Sequence, residues 1–115
     1  MRRGEIWLAR LGPADSDDAA SLQPVVVVSN DGANAAAERL GRGVVTVVPV
    51  ATGSKAVYEF QVYLPRGETG LASNAKARAE QVCSIDVRRL ERLVGVIPVG
   101  LMGELQSALR VHLAL

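Results

Sequence analysis

The chain has 115 residues, 49% of them hydrophobic, and its 13 basic and 12 acidic side chains leave a formal net charge of +1. That length suits a single domain over residues 1–115 that buries roughly two thirds of its unfolded surface, and the near-neutral balance excludes a bulk electrostatic binder of nucleic acid while allowing local basic patches. One cysteine (Cys83) and one histidine (His112) exclude an internal disulfide and a His/Cys zinc cluster, and no apolar run approaches the about eighteen residues of a membrane span, so a soluble, cytoplasmic protein with no metal and no cofactor is expected.

Residues 4–11 read as a first strand, with Ile6, Leu8 and Leu11 apolar, stopped by the turn signal Gly12-Pro13. Residues 15–22 follow as a polar loop. Val25 to Val28 are four consecutive β-branched residues opened by a proline that can only start a strand, which predicts a short buried strand rather than a helix. It emerges at Ser29 and Asn30, polar groups that a stiff sheet end can aim at a ligand with little entropy loss.

Residues 31–40 are alanine-rich and closed by Gly41, which predicts a short helix capped by Asp31. Residues 44–50 form a second buried β-branched run with Pro49 near its edge, and Thr52 to Lys55 make the next loop. Residues 58–64 alternate as a strand does, and 65–70 read as a turn. From 74 to 82, Ala75, Ala77 and Ala79 alternate with Lys76, Arg78 and Glu80, which favours a strand with a solvated charged face over a helix. Residues 85–92 are expected to make one or two helical turns, and 93–97 a short strand ended by Pro98. Leu101, Leu105, Leu109 and Leu113 recur every four residues and predict a terminal helix with one apolar face. The four aromatic side chains are too few for a base-stacking platform. Short strands, turns and one terminal helix point to a mainly-β chain with α (α+β), built as a small barrel-like sheet.

Four blocks stand in order along this pattern: GEIW at 4–7, PVVVVSN at 24–30, VVPVATGSK at 47–55 and AEQVCSID at 79–86. Together they resemble the MazF/PemK family, the mRNA interferase toxins of type II toxin–antitoxin systems. The resemblance implies an SH3-like small β-barrel of the MazF/PemK/CcdB type with a C-terminal helix. It further implies a homodimer that cleaves single-stranded mRNA at short sequences without a metal and is neutralised by a MazE-like antitoxin. Such cleavage uses the neighbouring 2′-hydroxyl as nucleophile and leaves a cyclic phosphate. Protein groups must then help remove the hydroxyl proton, protonate the leaving oxygen and stabilise the crowded phosphate, a task suited to the planar, permanently charged arginine.

The family usually carries an arginine before the proline of the second block, a threonine within the third and a basic residue after the EQ pair of the fourth. This chain has Gln23, Ala51 followed by Thr52, and Cys83 at those places. Gln23 and Thr52 are therefore the expected catalytic residues, Gln23 as an uncharged donor and Thr52 through a one-residue loop shift. Asp18, Ser29, Asn30, Lys55, Glu80 and Gln81 are the expected RNA-binding residues, with Lys55, helped by Arg42 or Arg66, supplying the positive field that Gln23 lacks. Lys76 and Arg78 read as a solvated face, Cys83 as a small buried filler, and His112 as a packing or dimer contact. The three replacements define the alternative: a catalytically impaired paralogue that acts as an RNA- or antitoxin-binding module.

Overall fold

Four consecutive valines cannot alternate between core and solvent, so a strand built from them must bury both of its faces. The computed structural model describes residues 1–12, 22–53 and 57–115, and in it this strand is β2 (Leu22–Val27), where Val25, Val26 and Val27 are fully buried. Alternation sends them to two separate clusters. Val26 and Val28 pack with Ile6, Val48, Val50, Ala75, Ala77 and Leu105. Val25 and Val27 pack with Ala9, Ala37, Val45, Val47 and Ile85.

β1 (Glu5–Arg10) and β3 (Val44–Thr52) flank β2, both antiparallel to it. The first half of β3 also pairs with β6 (Cys83–Asp86), from Val44↔Asp86 to Val47↔Cys83, and its last residues pair with β5 (Ala75–Arg78), from Val50↔Ala77 to Thr52↔Ala75. With β4 (Gln61–Leu64) on β5 and β7 (Leu90–Val96) on β1, the order is β4-β5-β3-β2-β1-β7, with β6 beside β3. Among the described residues β4 and β7 do not pair with each other, so the sheet is barrel-like without closing. The mainly-β architecture with a terminal helix is the one expected. Pairing of β2 with β3 ends at Val25↔Pro49. Pro24 and Pro49 lack the N–H that would extend the ladder, so β3 exchanges β2 for β5 at this point.

α1 (Asp31–Leu40) is capped by Asn30, whose side-chain oxygen accepts from the Ala33 N–H at 2.8 Å, and it ends on Gly41 with φ 65°. The expected cap, Asp31, is instead the first helical residue. Its carboxylate accepts from the Arg3 N–H at 2.6 Å, and that bond holds its pKa below the usual carboxylate range. α3 (Val99–Leu113) buries Leu105 and Ala108 against the first cluster, with Leu101, Met102 and Leu109 partly buried beside them. Leu113 is 48% exposed, so the apolar stripe outruns the core by a turn. Among the described residues no helix is long and apolar enough to cross a membrane.

Three segments depart from their sequence pattern. Over 58–64 only β4 forms, because the Tyr58 and Phe60 rings stack at 5.4 Å and the Gln61 N–H closes a turn on the Tyr58 carbonyl. The strand predicted over 74–82 stops at Arg78 and continues as a 3₁₀ turn, Ala79–Gln81. Residues 85–92 contain one 3₁₀ turn, Val87–Arg89, between β6 and β7, where the Asp86 carboxylate accepts from the Arg88 N–H at 2.9 Å. Local side-chain bonds to the backbone thus override the helical spacing of charge there.

α2 (Arg66–Thr69) ends on Gly70 with φ 82°, and its last carbonyl presses on β7. A Cβ built on Gly95 would stand 1.9 Å from the Thr69 carbonyl oxygen, whereas one on Gly100 would meet nothing within 4 Å. Gly95→Ala should therefore destabilise the protein by on the order of 3 kcal/mol, and Gly100→Ala should be neutral or stabilising by up to about 1 kcal/mol. Urea unfolding of the two variants checks this, and equal effects would mean that the α2–β7 approach is not tight.

Candidate active site

The same alternation that splits the core also decides which side chains meet beyond it. Gln23 lies two residues before Val25 and pairs with Ala9, so it shares the face of the second cluster. Pro49 and Ala51 continue that face along β3 from Val45 and Val47, and Cys83 faces it from β6 opposite Val47. On β5, Ala75 and Ala77 belong to the first cluster, which leaves Arg78 on the Gln23 side. Where the β2–β3 ladder ends, no described residue covers this face. It opens into adjoining cavities of about 620 and 340 Å³ that share Gln23, Pro49 and Arg78. The larger extends over Gln81, Cys83, Ser84, Asp86 and Arg89. The smaller extends over Pro24, Ala51 and Thr52.

Most of the charge on this surface is committed. Arg89 Nη1 donates to the Arg10 and Gly12 carbonyls at 2.6 and 2.9 Å, tying the end of β1 to the turn after β6. The Asp86 carboxylate accepts from Arg88 Nη2 at 2.7 Å and Nε at 3.0 Å, and these bonds lower its pKa to about 2, so it stays ionised. Burial pushes the Cys83 thiol up, which keeps it neutral at pH 7 and unable to replace a basic side chain. Gln23 and Gln81 offer amides that can donate and accept. Among the described residues no three His, Cys, Asp or Glu side chains gather as metal ligands.

The structure brings some of the expected site residues together and separates others. Gln23 lines both cavities and Gln81 the larger. Thr52 borders the smaller cavity, but β3 pairs with β5 without a bulge through Thr52↔Ala75, so its side chain falls on the Val50 face. The one-residue shift is not observed, and Ala51 holds the place on the Gln23 side. Glu80 lines neither cavity. One of its oxygens accepts from Gln61 Nε2 at 2.7 Å and the other is buried without a partner among the described residues.

Ser29 and Asn30 lie past the opposite end of β2, roughly 20 Å of strand from Gln23. Ser29 Oγ donates to Asn34 Oδ1 at 2.5 Å and accepts from the Thr46 N–H at 3.1 Å, while Asn34, fully buried, donates to the Ser29 carbonyl at 2.9 Å. These groups dock α1 on the sheet. Asp18 and Lys55 lie outside the described residues. Arg42 and Arg66 line neither cavity; the arginine that lines both is Arg78. Its alternation with alanine was visible in the sequence, but which face β5 turns toward β2 depends on a long-range register.

The family model of PemK-like, MazF-like toxins of type II toxin–antitoxin systems matches residues 2–113. Endoribonuclease MazF9 of Mycobacterium tuberculosis is 51% identical over 115 residues, which is 100% of this chain and 98% of that protein. MazF of Deinococcus radiodurans in crystal form I superposes with a TM-score of 0.76 at 22% identity, over 100% of this chain and 97% of that one. A MazE–MazF structure from the same organism gives 0.74 at 20% identity, over 100% and 96% of the two chains. Both solved structures share the fold.

Because Asn30 serves the start of α1, Asn30→Ala should lower stability by about 1 kcal/mol. Chemical denaturation measures this, and an unchanged midpoint would show that the cap contributes nothing.

Proposed function

The chain belongs to the PemK-like, MazF-like toxin family of type II toxin–antitoxin systems, and from that membership we propose that it is a sequence-specific endoribonuclease that cleaves single-stranded mRNA without a metal and is neutralised by a MazE-like antitoxin. The observation that carries this reading is the 51% identity, over the full length, to a protein named an endoribonuclease. It favours an enzyme over the impaired paralogue. A single domain over residues 1–115 forms the protomer of a homodimer acting in the cytoplasm, where mRNA is found; the match over residues 2–113 supports the one-domain reading.

RNA lies in the groove where β2 and β3 part. The 2′-oxygen attacks the adjacent phosphorus, the bond to the 5′-oxygen breaks, and a 2′,3′-cyclic phosphate and a 5′-hydroxyl result. Gln23 donates from its amide to the phosphate, and Thr52, whose side chain stands on the Val50 face at the border of the smaller cavity, supplies the hydroxyl through a one-residue shift of the end of β3 when RNA binds. Gln81 contacts the RNA from the larger cavity, joined by Asp18 and Lys55. Ser29, Asn30 and Glu80 are left out of this set, since their polar atoms serve the α1 cap and the Gln61 contact.

Purified protein incubated with a long unstructured RNA and excess chelator should give discrete fragments with cyclic-phosphate ends. Intact RNA at high protein concentration would overturn the reading. Gln23 and Ala51 share one face, so Gln23→Arg combined with Ala51→Thr should raise the single-turnover rate on the order of 10²-fold, the scale of one well-placed donor. An unaltered rate would place the chemistry elsewhere on the molecule.

A further inference from the structure

The groove holds a cation that no described residue engages. Arg78 is half-buried at the end of β5 and lines both cavities, yet among the described residues its guanidinium makes no hydrogen bond and no ion pair. The neighbouring ionic groups are engaged: Arg89 with the Arg10 and Gly12 carbonyls, Asp86 with Arg88. Gln23 and Gln81 are neutral, and Cys83 carries no charge. A partly desolvated guanidinium is costly to leave unpaired, and its planar fork matches two phosphate oxygens at once. Strand register aims it at the same opening as Gln23, from the opposite side of the gap left by the β2–β3 ladder.

We propose that Arg78 is the phosphate-binding cation of this groove, standing on β5 to supply the charge that Gln23 does not bring from β2. The assignment rests on the RNA-cleaving reading above. The RNA backbone passes from the cavity at Gln81 and Ser84, across Arg78, to the cavity at Ala51 and Thr52. As the O2′–P bond forms and the P–O5′ bond breaks, Arg78 holds the non-bridging oxygens. It moves no proton: water takes the 2′-hydroxyl proton and returns one to the 5′-oxygen, in place of the protein groups expected for those two transfers.

The test compares the wild type with Arg78→Gln, Arg78→Lys and the double variant Arg78→Gln/Gln23→Arg. Single-turnover cleavage of the long unstructured RNA is read beside salt-dependent binding of a mixed-sequence single-stranded deoxyoligonucleotide, which has the phosphates but no nucleophile. Arg78→Gln should cleave about 10²- to 10³-fold more slowly, and the slope of log K against log salt should fall by about 0.7, one phosphate contact on a single strand. Arg78→Lys should recover part of the rate, and Gln23→Arg in the Arg78→Gln background should restore it at least about tenfold. Thermal unfolding of Arg78→Gln should match the wild type, because among the described residues the side chain bonds to nothing.

Wild-type cleavage and an unaltered salt slope in Arg78→Gln would overturn the assignment and leave the nuclease reading standing. Slower cleavage with an unaltered slope would also overturn it, marking a structural effect. If the wild type cleaves no RNA, the nuclease reading fails and the slope alone decides: a decrease supports Arg78 as a phosphate site, and no change removes it.

Discussion

Burial of β2 on both faces sets the terms for everything around it. Three adjacent fully buried valines contribute on the order of 1.5–3 kcal/mol each, and they do so only if each face of the strand is covered. α3 supplies one cover with Leu105 and Ala108. α1 and β6 supply the other with Ala37 and Ile85. The first cover continues along β3 and β5 as far as Val50, Ala75 and Ala77. Among the described residues the second runs out where Pro24 and Pro49 end the β2–β3 ladder, and the remainder of that face is the groove. The groove is therefore a consequence of the core's layout, bounded by backbone that cannot pair.

The two ends of β2 do different work with similar polar residues. At one end Ser29, Asn30 and the buried Asn34 satisfy one another and the start of α1, which leaves them little capacity for a ligand. At the other end Gln23, Gln81 and Arg78 face open space. Polar groups saturated by the fold stabilise it; polar groups held rigidly with capacity to spare bind what enters. Among the described residues this end offers one unengaged arginine and two amides, beside an Asp86 carboxylate that Arg88 already neutralises.

Much of this was legible in the residues. The valine run identified a short buried strand, the leucines at every fourth residue identified α3, and the four ordered blocks pointed to the family. Gln23 stands immediately before the second block, and the structure puts it in the groove. What escaped depended on contacts distant in the chain. Asn30 and Asp31 are both reasonable caps, and the Arg3 N–H bond to Asp31 decides between them. Thr52 and Ala51 are neighbours in sequence, and only the ladder with β5 shows which of them faces Gln23. Arg78 looked like a solvated charge because the sequence does not say that its strand lies beside the broken edge of β3. The basic loop pointed to Lys55, with Arg42 or Arg66, for the positive field, where register favours Arg78.

The central claim is that ligand binding belongs to the Gln23 end of β2 and structural capping to the Ser29 end. Backbone amide shifts recorded by NMR during titration with a single-stranded deoxyoligonucleotide test it directly. The account predicts the largest shifts at Gln23, Ala51, Arg78 and Cys83, with Ser29, Asn30 and Asp31 unmoved. Shifts concentrated at Ser29 to Asp31, with Gln23 and Arg78 silent, would contradict it.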